Sequence, residues 1–78
     1  MDWKKAKIPA GSRLFQVHSF TFMFSGKTYI LEVDEFSDGT CTGHGEQSTD
    51  KSHVLESVTG RAVGECLDAL IKKIEKRG

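Results

Sequence analysis

Two runs rich in aromatic and β-branched residues, RLFQVHSFTFMF (13–24) and KTYILEVDEF (27–36), are separated only by Ser25-Gly26. A two-residue link of this kind closes a β-hairpin, and its tightness leaves one register. Phe24 then faces Lys27, Phe22 faces Tyr29, Phe20 faces Leu31 and His18 faces Val33. Side chains alternate across a strand, so Phe20, Phe22, Tyr29, Leu31 and Val33 collect on one surface, the expected core face. The other surface carries Val17, Ser19, Thr21 and Met23 beside Thr28, Ile30, Glu32 and Asp34, a mixed set compatible with water. Apolar residues change phase between Phe15/Val17 and Phe20/Phe22, which predicts a β-bulge near His18-Ser19.

The following FSDGT segment suits a three-residue loop, a type I turn closed by a left-handed glycine. Phe36 then faces Thr40, and the register sets Glu35 opposite Cys41, Asp34 opposite Thr42, Val33 opposite Gly43, Glu32 opposite His44 and Leu31 opposite Gly45. Gly43 and Gly45 share the core face, where missing side chains let a helix approach. The segment RAVGECLDALIKKIEK (61–76) supplies that helix, with Val63, Cys66, Leu67, Leu70, Ile71 and Ile74 on one face and an Asp68–Lys72 pair at i, i+4. Between them, SHVLESVTG (52–60) carries two patterns: Val54, Glu56 and Val58 alternate as in a strand, whereas Leu55, Val58 and Ala62 follow a helical period. Its β-branched residues, with Gly60 and Gly64, favour a strand near 53–58 and a helix capped by Thr59. The expected fold is α+β, a three-stranded antiparallel meander with a fourth strand near 53–58 and one C-terminal helix packed across Phe20, Phe22, Tyr29, Leu31 and Val33.

Seventy-eight residues make one small domain with a thin core. Residues 1–12 hold the only proline and no clear period, so they read as a basic arm preceding a domain over 13–78. Trp3 is the arm's one large apolar side chain, suited to docking on the domain or anchoring a partner. The 11 basic and 11 acidic residues cancel but are unevenly spread, with both ends basic and the middle acidic. No apolar run follows the basic start and none reaches the length of a membrane span, so a cytoplasmic location and no membrane partner are expected. There, Cys41 and Cys66 are expected as thiols rather than a disulfide.

Chemistry-bearing residues cluster in GTCTGHGEQSTDKSH (39–53). Cys41 and His44 have a zinc-knuckle spacing, with His53, Cys66 and His18 as further ligand candidates. Their odd separation within one strand, however, points them to opposite faces, and no metal site or other cofactor is expected. His44 and Glu46 project from the outer face with Glu32 across from His44, a surface pair rather than a catalytic one. No nucleophile elbow, phosphate loop or dinucleotide fingerprint occurs, so neither enzymatic activity nor a small-molecule substrate is expected. The FTFMF run is needed by the helix and reads as core, not as a base-stacking platform.

Residues 27–76, in the order strand, Asp-Gly turn, strand, strand and the helical TGRAVGECLDALIKKIEK, resemble the antitoxin side of HicA/HicB-type toxin–antitoxin pairs in order and pattern. The family's Pro-Gly-Cys-type segment before the third strand is missing, as is an appended DNA-binding module. The resemblance covers about two thirds of the chain and implies a small antitoxin-like binding protein.

Two expectations of function follow. The first is a non-enzymatic binding or accessory protein contacting a protein partner, or a second copy of itself, through a sheet edge or the outer face, with Trp3, Val17, Met23, Ile30, Glu32, His44 and Glu46 as contact residues. The alternative is nucleic-acid binding through Lys4, Lys5, Lys7 and Arg13 of the arm and Lys72, Lys73, Lys76 and Arg77 at the helix end.

Overall fold

The structure, a computed structural model, describes residues 2–77, without the side chains of residues 50–53 and 77. A short 3₁₀ turn, Trp3–Lys5, precedes four strands and a helix: β1 (Phe15–Phe24), β2 (Lys27–Phe36), β3 (Cys41–Gln47), β4 (Asp50–Gly60) and α1 (Val63–Arg77). The strands form one antiparallel sheet in chain order, β1-β2-β3-β4.

Both expected turns shape the meander. Ser25 (φ 53°) and Gly26 (φ 77°) are both left-handed, the backbone of a type I′ turn, and Phe24 pairs with Lys27. In the second turn Gly39 has φ 95°, and the Phe36 amide donates to the Thr40 carbonyl at 2.9 Å. Asp38 secures that turn by accepting from the Thr40 amide at 2.9 Å and from its hydroxyl at 2.6 Å. These bonds favour the charged carboxylate and hold Asp38 below its ordinary pKa. Local geometry therefore carries the register from Phe15↔Phe36 through Leu31↔Gly45 without a break.

The bulge expected at His18-Ser19 does not form, because β1 pairs with β2 residue for residue. Phe15 and Val17 simply belong to the outer face. The bulge lies in β4 instead. Gly43 pairs with Val58 and Gly45 with Leu55, so His44 faces two residues, Glu56 and Ser57. This inserted residue brings both Leu55 and Val58 to the core side, which accounts for their helix-like spacing within a strand. The expected Thr59 cap is also corrected. Thr59 lies in β4 opposite Thr42, and the first helical bond runs from the Cys66 amide to the Ala62 carbonyl at 3.2 Å. Ala62 therefore occupies the N-cap position and Glu65 the third helical position.

The core lies between α1 and one face of the sheet. Tyr29, Leu31, Val33, Cys41, Leu55, Cys66, Leu70 and Ile74 are buried, with Phe20, Phe22, Phe24, Val58, Val63, Leu67 and Ile71 packed around them. A Cβ on Gly43 would stand 3.1 Å from Leu70 Cδ1 and 3.3 Å from Cys66 Cβ, so the helix approaches the sheet over the glycine as expected. The helix lies across β2, β3 and β4 rather than over β1. Leu55 and Val58 add apolar surface on the β4 side, and Gly43 lets the helix settle over β3, whereas a Cβ on Gly45 would meet Leu31 and Leu55 of the sheet rather than the helix. Phe20, Phe22 and Phe24 are left half-buried at its flank. No helix among the described residues is long and apolar enough to cross a membrane.

Candidate functional site

The sheet has a second face on which no element of the described chain packs. Alternation and register place Val17, Asp34, Thr42 and Thr59 in one row, Ser19, Glu32 and His44 in the next, then Thr21, Ile30, Glu46 and Val54, and finally Met23 with Thr28. Met23 is 76 % exposed, Val54 57 %, Val17 49 % and Phe15 45 %. This scatter of apolar groups among carboxylates joins six of the expected contact residues, Val17, Met23, Ile30, Glu32, His44 and Glu46, on one surface. Trp3 is placed elsewhere. It is half-buried in the arm, whose Lys4 is anchored to Glu35, a residue with the core-face parity of β2.

Within the outer face, His44 Nε2 lies 3.7 Å from Glu32 Oε1, with both side chains nearly half exposed. Water competes for such a pair, so it orients His44 without isolating it. A depression of about 180 Å³ between Ile30, Glu32, His44, Glu46 and Val54 is smaller than the roughly 300 Å³ at which small-molecule sites begin. A larger open groove of about 520 Å³ lies at the end of the sheet, lined by Arg13, Phe36, Thr59, Arg61 and Glu65 among others. There the Arg13 guanidinium sits 4.3 Å from the centre of the Phe36 ring, which in turn lies 5.1 Å from that of Phe15.

The expected metal ligands diverge. Cys41 and Cys66 are buried in the core, His44 points out from the opposite face, and the His53 side chain lies outside the described residues. His18 is engaged at 2.9 Å with Glu35. No three side chains of His, Cys, Asp or Glu come together among the described residues. The two cysteines are thiols, and Cys66 Sγ donates to the Cys41 carbonyl at 3.5 Å. Burial pushes both thiols above their ordinary pKa, and the negative charges nearby, Glu35 at Cys41 and Glu65 at both, add to the effect. Neither has thiolate character at neutral pH.

Much of the expected basic set is occupied within the chain. Lys4 Nζ meets Glu35 at 2.7 Å, Lys72 meets Asp68 at 3.2 Å, Lys73 meets Glu56 at 3.5 Å, and Arg13 covers Phe36. Lys5, Lys7 and Lys76 are exposed, and the Arg77 side chain lies outside the described residues.

Sequence reasoning placed Ser19 and Thr21 on this face but left them out of the contact set, and it missed Phe15 and Val54. For Phe15 the signal was present in the parity set by the Ser25-Gly26 turn, but the supposed bulge obscured it. For Val54 no local signal existed, since only the bulge at Glu56-Ser57 separates its face from that of Val58. Comparison of the chain with protein-family models, with curated proteins and with solved structures gives no match.

Proposed function

We propose that this is a small non-enzymatic binding protein that acts through protein–protein contacts at the β1 edge of its sheet and the adjoining outer face. One observation carries the proposal: β1 is a ten-residue edge strand, FQVHSFTFMF, with no charged residue, proline or glycine and no bulge against its neighbour. Edges of this length are normally protected by one of those devices, and an unprotected edge is a template for another strand. The neighbouring Val17, Met23 and Ile30 add apolar contact, while Glu32 and Glu46 give the surface polarity at its centre.

Contact with protein is favoured over contact with nucleic acid because the carboxylates Glu32, Asp34 and Glu46 stand on the open face and several basic groups are already paired. An antitoxin-like role is one form such binding would take. Two buried thiols suit a reducing, cytoplasmic setting.

The test is affinity capture from the source lysate with the wild-type chain and with Ser19→Lys as baits, each with and without nuclease. Retained proteins that survive nuclease and are lost from the Ser19→Lys bait are the expected result. Partners that disappear with nuclease yet bind both baits equally would overturn it.

A further inference from the structure

The half-buried phenylalanines of β1 sharpen the identity of the partner. In a two-residue hairpin the residues flanking the turn form a hydrogen-bonded pair, so Phe24 and every second residue before it direct their amides to β2. The Ser37 amide donating to the Leu14 carbonyl at 3.2 Å continues that parity past the start of the strand. Phe15, Val17, Ser19, Thr21 and Met23 therefore direct their N–H and C=O groups outward, along the edge. On the helix side of the same strand, Phe20, Phe22 and Phe24 pack on the core from its flank, with the Phe22 and Phe24 rings 5.9 Å apart and nearly parallel. A lone foreign strand would take the hydrogen bonds but leave an apolar flank beyond it.

We propose that the occupant of this edge is a second copy of the same chain, paired antiparallel β1 to β1 about a two-fold axis perpendicular to the sheet. The inference rests on β1 being the contact edge, as proposed above. Such an axis keeps both helices on the same side, so residues of like parity meet, and on that side the half-buried Phe20 of each copy comes to the centre of the seam while Phe22 faces the second copy's Gln16 or His18. Parity and overlap together centre the pairing on Ser19 or on Phe20. In the first case Phe20 faces the second copy's His18, and in the second case the two Phe20 residues face each other. Neither register brings like charges together, because the strand has none. The other edge, β4, carries register shifts and charged residues, so pairing consumes the unprotected edge and the assembly closes at two rather than growing.

The experiment is sedimentation equilibrium of the full chain from micromolar to millimolar concentration, with amide hydrogen exchange at both ends of that range. The expected result is a species of twice the 8.7 kDa chain mass, with the amides of Val17, Ser19, Thr21 and Met23 becoming protected as it forms. Ser19→Lys and Thr21→Lys both place a charge on the exposed face and remove no core group. Each should leave the far-ultraviolet circular dichroism unchanged and weaken dimerisation by about tenfold or more. Val54→Lys, on the far side of the sheet, should leave it intact. A wild-type chain that stays monomeric at millimolar concentration overturns self-pairing, as does a dimer lost with Val54→Lys but not with Ser19→Lys. In the monomeric case, lysate partners that still depend on Ser19 would leave the edge proposal standing, whereas their absence would remove both.

Discussion

At Gly43 the absence of a side chain sets how closely helix and sheet can pack. An added Cβ would meet Val58 Cγ2 at 3.0 Å and Leu70 Cδ1 at 3.1 Å, both in a core with little room to yield. Gly43→Ala should therefore destabilise the chain by about 1–3 kcal/mol, seen as a lower urea midpoint at unchanged slope. Gly64 is the contrast, since a Cβ there meets nothing within 4 Å, and Gly64→Ala should be neutral or stabilising by roughly 0.5 kcal/mol. The importance of Gly43 was legible in the sequence, because two short turns place it opposite Val33 on the core face. The bulge was not legible. Leu55 and Val58 reach the same face only because one extra residue is accommodated against His44, and that accommodation is a property of the pairing with β3. For the candidate surface the same division holds. Glu32, His44 and Glu46 followed from register, while Val54 was assigned its face by a distant irregularity.

Among the elements, α1 was the most legible and its start the least. Its apolar stripe predicted Cys66, Leu70 and Ile74 as buried, and they are. The helix begins two residues later than its pattern suggested, since β4 continues through Gly60 and holds Thr59 in the sheet. Alanine is a poor N-cap because it offers no oxygen to the orphan amides of the first turn. With Glu65 already at the third helical position, Ala62→Ser would complete a capping box. It should stabilise the chain by about 1 kcal/mol, raising the thermal midpoint by roughly 4–8 °C for a domain of this size. Calorimetry of the two chains under identical conditions and concentration checks this. The strand β1 shows the complementary case, in which an element regular in sequence is incompletely covered by tertiary packing.

Across the whole molecule, the described residues span 44 × 21 × 20 Å, so an elongated monomer would elute early from a sizing column and the oligomeric state must be read from mass. The arm joins the domain through Lys4 and Glu35, with His18 as a third member. The Lys4 ammonium, and after it His18, hold the Glu35 carboxyl below the ordinary carboxylate range, and Glu35 raises the pKa of Lys4 in return. Because the folded value of Glu35 is depressed, its contribution to docking is present above the unfolded value, about 4.3, and is lost as pH falls through the folded value. Emission from Trp3, the only tryptophan, should report undocking in that acidic window, before loss of far-ultraviolet circular dichroism, and Glu35→Gln should abolish the transition. No local pattern in residues 1–12 announces this contact, since its two sides lie far apart in sequence. The sequence by itself determined the hairpin registers, the core face and the helical stripe, because turn geometry and side-chain period act over a few residues. The tertiary structure alone decided where the bulge falls, which strands the helix covers and where the arm docks. Those outcomes depend on how separate apolar surfaces share one thin core, and the helix, seated over Gly43 and Leu55, leaves the phenylalanine flank of β1 open.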